Sequence, residues 1–196
     1  MANPQKNRQY KKFNIIQDTR EKPDAGWVFP PSCKAVLGVI RRKMRVGDYT
    51  VAGLEHVLMI ERKSLGDLYK SLGTDARRFL EMWKRTDRLG IPLRYLVIEA
   101  TFEEVCQRYV FSSLPWQNVL SKLMSLQFNF NVHVVYAGDK VQASMYARRL
   151  MEKLSQYNQD GRLGTDGKVI TPDNSSSKGQ DSEQRLPGWN TRDGID

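Results

Sequence analysis

Cysteine is almost missing from this chain of 196 residues. Cys33 and Cys106 are the two that occur; they stand far apart, with no CxxC spacing and no histidine cluster beside them, so neither a disulfide framework nor a zinc site is indicated. A reducing intracellular compartment is the expected setting. Long apolar runs are missing too, and no stretch approaches the roughly 20 residues that span a bilayer. The opening MANPQKNRQYKK is basic but lacks the apolar core of an export signal. There is no internal repeat. A soluble protein that is not exported is the expectation these absences leave.

What is present is positive charge, unevenly spread. The formal net charge is +9; from Tyr157 onward seven acidic and five basic residues give −2, so residues 1–156 carry +11. A folded unit this basic commonly meets a polyanion, because Lys and Arg that neutralise phosphates release condensed counterions. The same charge could serve solubility alone. With 40 % hydrophobic residues, the chain can bury a core as one domain without covalent staples. Near its end the composition shifts: residues 158–196 are rich in Gly, Ser, Asp and Asn, with too few apolar side chains to offset the entropy of ordering them. The expected layout is a basic extension at 1–12, a folded domain at 13–157 and a disordered tail at 158–196. Within that tail Leu186, Trp189 and Ile195 are the candidates for a short binding peptide.

Inside the domain two periods alternate. Phe13 to Ile16, Ala35 to Arg41, Leu93 to Ile98 and Val132 to Tyr136 read as strands, and Tyr49 to Ala52 with Val57 to Lys63 as a hairpin around Gly53-Leu54-Glu55-His56. Phe79, Leu80 and Trp83 among Arg77, Arg78, Lys84 and Arg85 give a helix with an apolar stripe and a basic face. Thr101-Phe102-Glu103-Glu104 is a capping box, and helices follow over Trp116 to Phe128 and Val141 to Leu154. Strands and helices in alternation, with apolar strands buried on both faces, predict a three-layer α/β domain around a mixed sheet.

Three consecutive charges, Glu61-Arg62-Lys63, interrupt the apolar run at the end of that hairpin. Side chains alternate along a strand, so Glu61 and Lys63 share one face and Arg62 points to the other. A carboxylate there can hold a divalent metal, and an ammonium beside it can orient a water or stabilise charge on phosphoryl oxygens. Asp48 lies at the hairpin's other end and folds back toward Glu61 as a second acid. Hard oxygen donors of this kind suit Mg²⁺ or Mn²⁺.

An acid, one hairpin, then Glu-x-Lys is the layout of the PD-(D/E)xK nucleases. Gly47-Asp48-Tyr49, Glu61-Arg62-Lys63 and Asp67 together resemble the GD…ERKxxxD signature of the XPF-type structure-specific endonucleases, and Asp18-Thr19-Arg20-Glu21 resembles that family's first acidic motif. The similarity runs on through Leu96-Val97-Ile98-Glu99 and the Trp116 to Leu150 region, so it spans about residues 13 to 155. It implies a restriction-endonuclease-like fold and a Mg²⁺- or Mn²⁺-dependent DNA endonuclease acting on branched or otherwise structured DNA in repair or recombination. A homodimer through the nuclease domain is implied as well.

By position, the resemblance makes Asp18, Asp48 and Glu61 metal ligands, Lys63 the group that positions the base or stabilises charge, and Glu21 a supporting acid. Arg20 and Arg62 would contact phosphate or support the site, or Arg62 would lock the reverse face of its strand through an ion pair. Asp67 fits a helix cap better than a ligand, Glu99 a structural role, and His56 has none. Two basic clusters could carry a phosphate backbone: Arg41, Arg42, Lys43 and Arg45, which lead into Gly47-Asp48, and Arg77, Arg78, Lys84, Arg85 and Arg88. Eukaryotic and archaeal members carry a tandem helix-hairpin-helix domain after the nuclease domain, where here the low-complexity tail follows; this leaves substrate preference and partner open and fits a stand-alone nuclease domain of bacterial or viral origin, in the cytoplasm or nucleoid. The alternatives are a non-catalytic DNA-binding subunit that supports another nuclease, and a restriction-type nuclease selecting DNA by sequence.

Overall fold

The computed structural model describes residues 10–21, 26–29, 34–164 and 166–170. Cys33, residues 1–9 and the candidate peptide at Leu186, Trp189 and Ile195 lie outside them. In chain order β1 (Phe13–Gln17), β2 (Val36–Arg41), β3 (Tyr49–Val51) and β4 (Leu58–Ser64) are followed by α1 (Leu65–Leu72) and α2 (Ala76–Arg88). Then come β5 (Leu93–Glu99), the short α3 (Phe102–Val105), α4 (Trp116–Phe130), β6 (Val132–Tyr136) and α5 (Lys140–Gln159). The strands form one six-stranded sheet in the order β2-β1-β3-β4-β5-β6. It is mixed, as expected: β3 runs antiparallel to both β1 and β4, and the other neighbours are parallel.

The period of two along β4 makes the layers. Met59 enters one core with Leu68 and Tyr69 of α1, Phe79 and Trp83 of α2, and Val119 and Leu123 of α4. Leu58 and Ile60 enter the other, with Ile15, Tyr49 and Val97 of the sheet and Ala143, Ala147 and Met151 of α5. Two apolar layers thus sandwich a sheet whose central strands are buried on both faces. β2 departs from that expectation: it is an edge strand, and Leu37, Val39 and Ile40 are 66 %, 42 % and 43 % exposed. The helix start expected at Asp67 is that of α1, Leu65–Leu72. Its start is set by Ser64, whose Oγ accepts the Asp67 N–H and donates to Asp67 Oδ2, so Asp67 belongs to the cap.

At the C-terminal end the expected boundary at 157/158 falls inside α5, which continues to Gln159. Beyond it Leu163 and Val169 pair across a tight turn, and Leu163 packs against the α5-side core. Residues 158–164 and 166–170 therefore lie on the domain instead of forming a free tail. The composition argument averaged over the segment and so missed Leu163, which meets the core. Among the described residues no helix is long and apolar enough to cross a membrane.

Candidate active site

Gly47 opens the site. It has φ +72°, and a Cβ there would lie 2.5 Å from Met59 Cγ, so only glycine allows this turn to press against β4. The turn delivers Asp48, whose N–H donates to Ile60 C=O at 2.8 Å and whose carbonyl accepts the Asp18 N–H at 2.8 Å. These bonds stitch the ends of β1, β3 and β4 together. Asp48 Oδ2 accepts the Arg62 N–H at 2.8 Å, and Lys63 Nζ donates to Glu61 Oε1 at 2.6 Å. The predicted alternation holds: Glu61 and Lys63 stand on the α1–α2 face with Asp48, Lys63 lying 5.3 Å over the Phe79 ring.

The electrostatics follow from that enclosure. Burial, and then the neighbouring Glu61 carboxylate, push Asp48 well above the usual carboxylate range. Burial alone would lower Lys63, but Glu61 and Asp48 more than offset it and hold the ammonium above its ordinary value. The two carboxylates thus favour the charged form of Lys63. Two enclosed acids and one ammonium leave the pair short of positive charge, and their hard oxygens suit a divalent cation.

Asp18 is also buried on this side of the sheet, yet it is committed elsewhere. Oδ1 accepts the Arg20 N–H and Nε, both at 2.7 Å, and Oδ2 accepts the Met44 N–H at 2.6 Å and Arg20 Nη2 at 3.0 Å. Burial pushes this acid up, but the bonds from Arg20 and Met44 outweigh it and hold Asp18 below its ordinary value. Among the described residues no three His, Cys, Asp or Glu side chains are gathered closely enough to hold an ion. Of the three expected ligands the structure brings Asp48 and Glu61 together and ties Asp18 to arginine.

Arg62 lies on the reverse face. Its Nε and Nη2 donate to Glu99 at 2.7 and 2.8 Å, and Nη1 donates to Glu21 at 2.8 Å. Glu99 also accepts Trp27 Nε1 at 2.8 Å, and Trp27 stacks on Tyr49 with ring centroids 4.6 Å apart. Glu21 thus serves this network and not the Glu61 face. The reverse-face ion pair expected as one reading of Arg62, and the structural role expected for Glu99, are what the structure shows; Trp27 is the member of the network that sequence reasoning passed over. The signal for Glu99 available in the sequence was an acid ending the apolar run Leu96-Val97-Ile98.

The basic residues divide. Arg20, Lys43, Arg45 and Arg85 line one open groove beside Asp18. Arg42 is paired with Glu55, and Arg41 Nη2 donates to the Glu21 carbonyl at 2.8 Å. Arg77 and Arg78 are exposed in the first turn of α2, outside that groove, with Arg78 3.5 Å from Asp75.

A mixed sheet that carries two acids and a lysine at one end, with cations beside them, defines the restriction-endonuclease-like class. Solved structures agree on the fold. XPF from Aeropyrum pernix matches with a TM-score of 0.56 and 19 % identity over 76 % of this chain and 68 % of that one. XPF from Aeropyrum pernix in complex with DNA matches with a TM-score of 0.52 and 20 % identity over 78 % and 68 %. Residues 17–149 match the ERCC4 domain, and the chain belongs to that family as an XPF-type nuclease domain. No curated protein matches it.

Proposed function

We propose that this protein is a divalent-metal-dependent endonuclease that hydrolyses phosphodiester bonds in branched or otherwise structured DNA. The observation that carries the reading is the Asp48, Glu61 and Lys63 arrangement on one face of the sheet. A groove of four cations runs beside it, and the domain belongs to the ERCC4 family. The XPF structure solved with DNA supports the substrate class.

Asp48 and Glu61 are the residues that would hold Mg²⁺ or Mn²⁺, which when bound supplies an activated water and offsets charge on the phosphoryl group. The chain's own groups do the rest. The Arg62 N–H fixes the Asp48 carboxylate, and Glu61 fixes Lys63, whose ammonium can steady a water or a phosphoryl oxygen. Arg62, clamped by Glu99 and Glu21, holds the strand that presents both acids. Lys43, Arg45 and Arg85 bind backbone phosphates without reading bases, which suits selection by DNA shape.

A homodimer through the nuclease domain belongs to the same proposal. Met124 and Phe128, one turn apart on α4, and Val141 and Met145, one turn apart on α5, are at least half exposed. Light scattering of the purified protein gives its mass in solution. The function itself is tested with labelled flap, fork, bubble, single-stranded and linear duplex DNAs in Mg²⁺, Mn²⁺ or EDTA. Cleavage of branched DNA that EDTA abolishes is expected. Binding without cleavage across the panel would assign the chain to a supporting, non-catalytic role.

A further inference from the structure

Asp18 differs from the other acids in how its charge is met. Its carboxylate is 1 % exposed and accepts four hydrogen bonds, two on each oxygen. An ionised carboxylate offers about four lone-pair sites, so none remains for a cation. Two of the four donors are backbone N–H groups, from Arg20 and Met44, and the other two belong to one side chain, the Arg20 guanidinium. That side chain is 58 % exposed. Its remaining hydrogen bond is to the Met44 carbonyl at 3.2 Å. It also lines the groove shared with Lys43, Arg45 and Arg85, and it is near enough to interact with Asp48 and Glu61.

We propose that Arg20 is a phosphate-operated latch on Asp18. A backbone phosphate entering the groove between Lys43, Arg45 and Arg85 draws the guanidinium off the carboxylate. Each Asp18 oxygen then keeps one backbone N–H, which holds it in place, and regains one lone pair. Asp18 thereby becomes available beside Asp48 and Glu61 as a further oxygen donor to a divalent cation.

The exchange is easy because arginine's planar fork fits carboxylate and phosphate in the same bidentate manner. The pair it breaks is also partly solvated on the arginine side. While the groove is empty, Arg20 supplies positive charge that the acids would otherwise take from a metal. When DNA fills the groove, that charge passes to the phosphate and the acids' demand for a cation rises. Metal and DNA binding are then coupled, and each tightens the other by the same factor. The inference rests on the nuclease reading of this site.

The test is calorimetric titration of the full-length protein with Ca²⁺, which takes oxygen ligands as Mg²⁺ does, with and without saturating forked DNA. For the wild type, DNA should tighten Ca²⁺ binding by about tenfold, within the usual range of coupling between sites. Arg20→Gln should bind Ca²⁺ more tightly than wild type without DNA, and DNA should then add little. Arg20→Lys, which keeps the charge but loses the fork, should fall between them. Thermal melting checks that the variants fold. If Arg20→Gln does not fold, the wild-type pair of titrations still decides. Equal Ca²⁺ affinity with and without DNA would overturn the latch even if the protein cleaves DNA. Coupled binding in a protein that cleaves nothing would uphold the latch and overturn the nuclease reading.

Discussion

Asp48 and Glu61 illustrate how a site can be assembled at the expense of the fold that carries it. Two carboxylates enclosed on one sheet face repel each other, and Lys63 answers only part of their charge. Replacing either acid by its amide should therefore act in opposite directions on activity and stability. Glu61→Gln and Asp48→Asn should each lower cleavage by roughly a hundredfold or more, the scale on which lost electrostatic stabilisation of a transition state is felt. In EDTA, Asp48→Asn should melt several degrees higher than the wild type. The amide oxygen can still accept the Arg62 N–H while the repulsion is gone, which is the usual stability–activity trade-off. Saturating metal should shrink that difference. A lower melting temperature for Asp48→Asn in EDTA would show that the acid pair is not in tension. The pairing of Glu61 with Lys63 was legible in the sequence because alternation along a strand needs no tertiary information. The capture of Asp18 by Arg20 was not, because rotamer and partner choice decide it, and a two-residue spacing alone leaves both open.

At the scale of elements, the ends of β4 and β5 are locked by one ion-pair network. Arg62 and Glu99 lie opposite each other's strand, with side chains 10 % and 7 % exposed, and Trp27 closes the network from a distant segment. The strands themselves were legible from apolar runs and turn residues. An ion pair of Arg62 on the reverse face was one reading of the sequence, but its partners were not legible, since Glu99 is 37 residues from Arg62 and 72 from Trp27. No local pattern encodes such separations. The edge position of β2 was also hidden, because its apolar run VLGVIR reads like that of a central strand while its sheet neighbour is set by topology. Glu99→Gln should leave a buried arginine with Glu21 as its remaining acidic partner. Breaking a buried pair costs about 3–5 kcal/mol; Glu21 holds the loss near the lower figure, so a fall of roughly 6–12 °C is expected at about 2–4 °C per kcal/mol. Cleavage should fall as well, since Arg62 carries the N–H that fixes Asp48, while DNA affinity should stay within twofold. A variant that melts and cleaves like the wild type would show that the network is not needed to position β4.

Over the whole molecule, ordering and charge are distributed differently from what composition alone conveys. Residues 161–164 and 166–170, read from composition as tail, seat Leu163 on the α5-side core and bring Gly167 against Pro92 and Val57, so close that a Cβ would lie 2.7 Å from Pro92 Cγ. A chain ending after Gly161 should melt a few degrees below the full chain, because a partly buried leucine contributes about 1 kcal/mol or more. Equal melting temperatures would show that the turn adds nothing to stability. The basic surface is likewise selective. Of the expected cations, Arg42 is already paired with Glu55 and Arg41 with the Glu21 carbonyl. Lys43, Arg45 and Arg85 instead converge on one groove from the β2–β3 loop and from α2, two segments that had looked like separate clusters. A phosphate backbone that follows this groove passes directly beside the Asp18–Arg20 pair. DNA affinity should therefore fall steeply with salt, and each phosphate contact removed should lower the log–log slope by about 0.9. Lys43→Ala/Arg85→Ala should reduce the slope by roughly two and weaken DNAs of different sequence alike, because phosphate contacts carry no base information. Arg77→Ala/Arg78→Ala, at the exposed start of α2 and outside the groove, should change the slope by less than one. Binding isotherms across a salt series check both variants: a full effect from the second pair with none from the first would move the DNA path off the groove and onto the open face of α2.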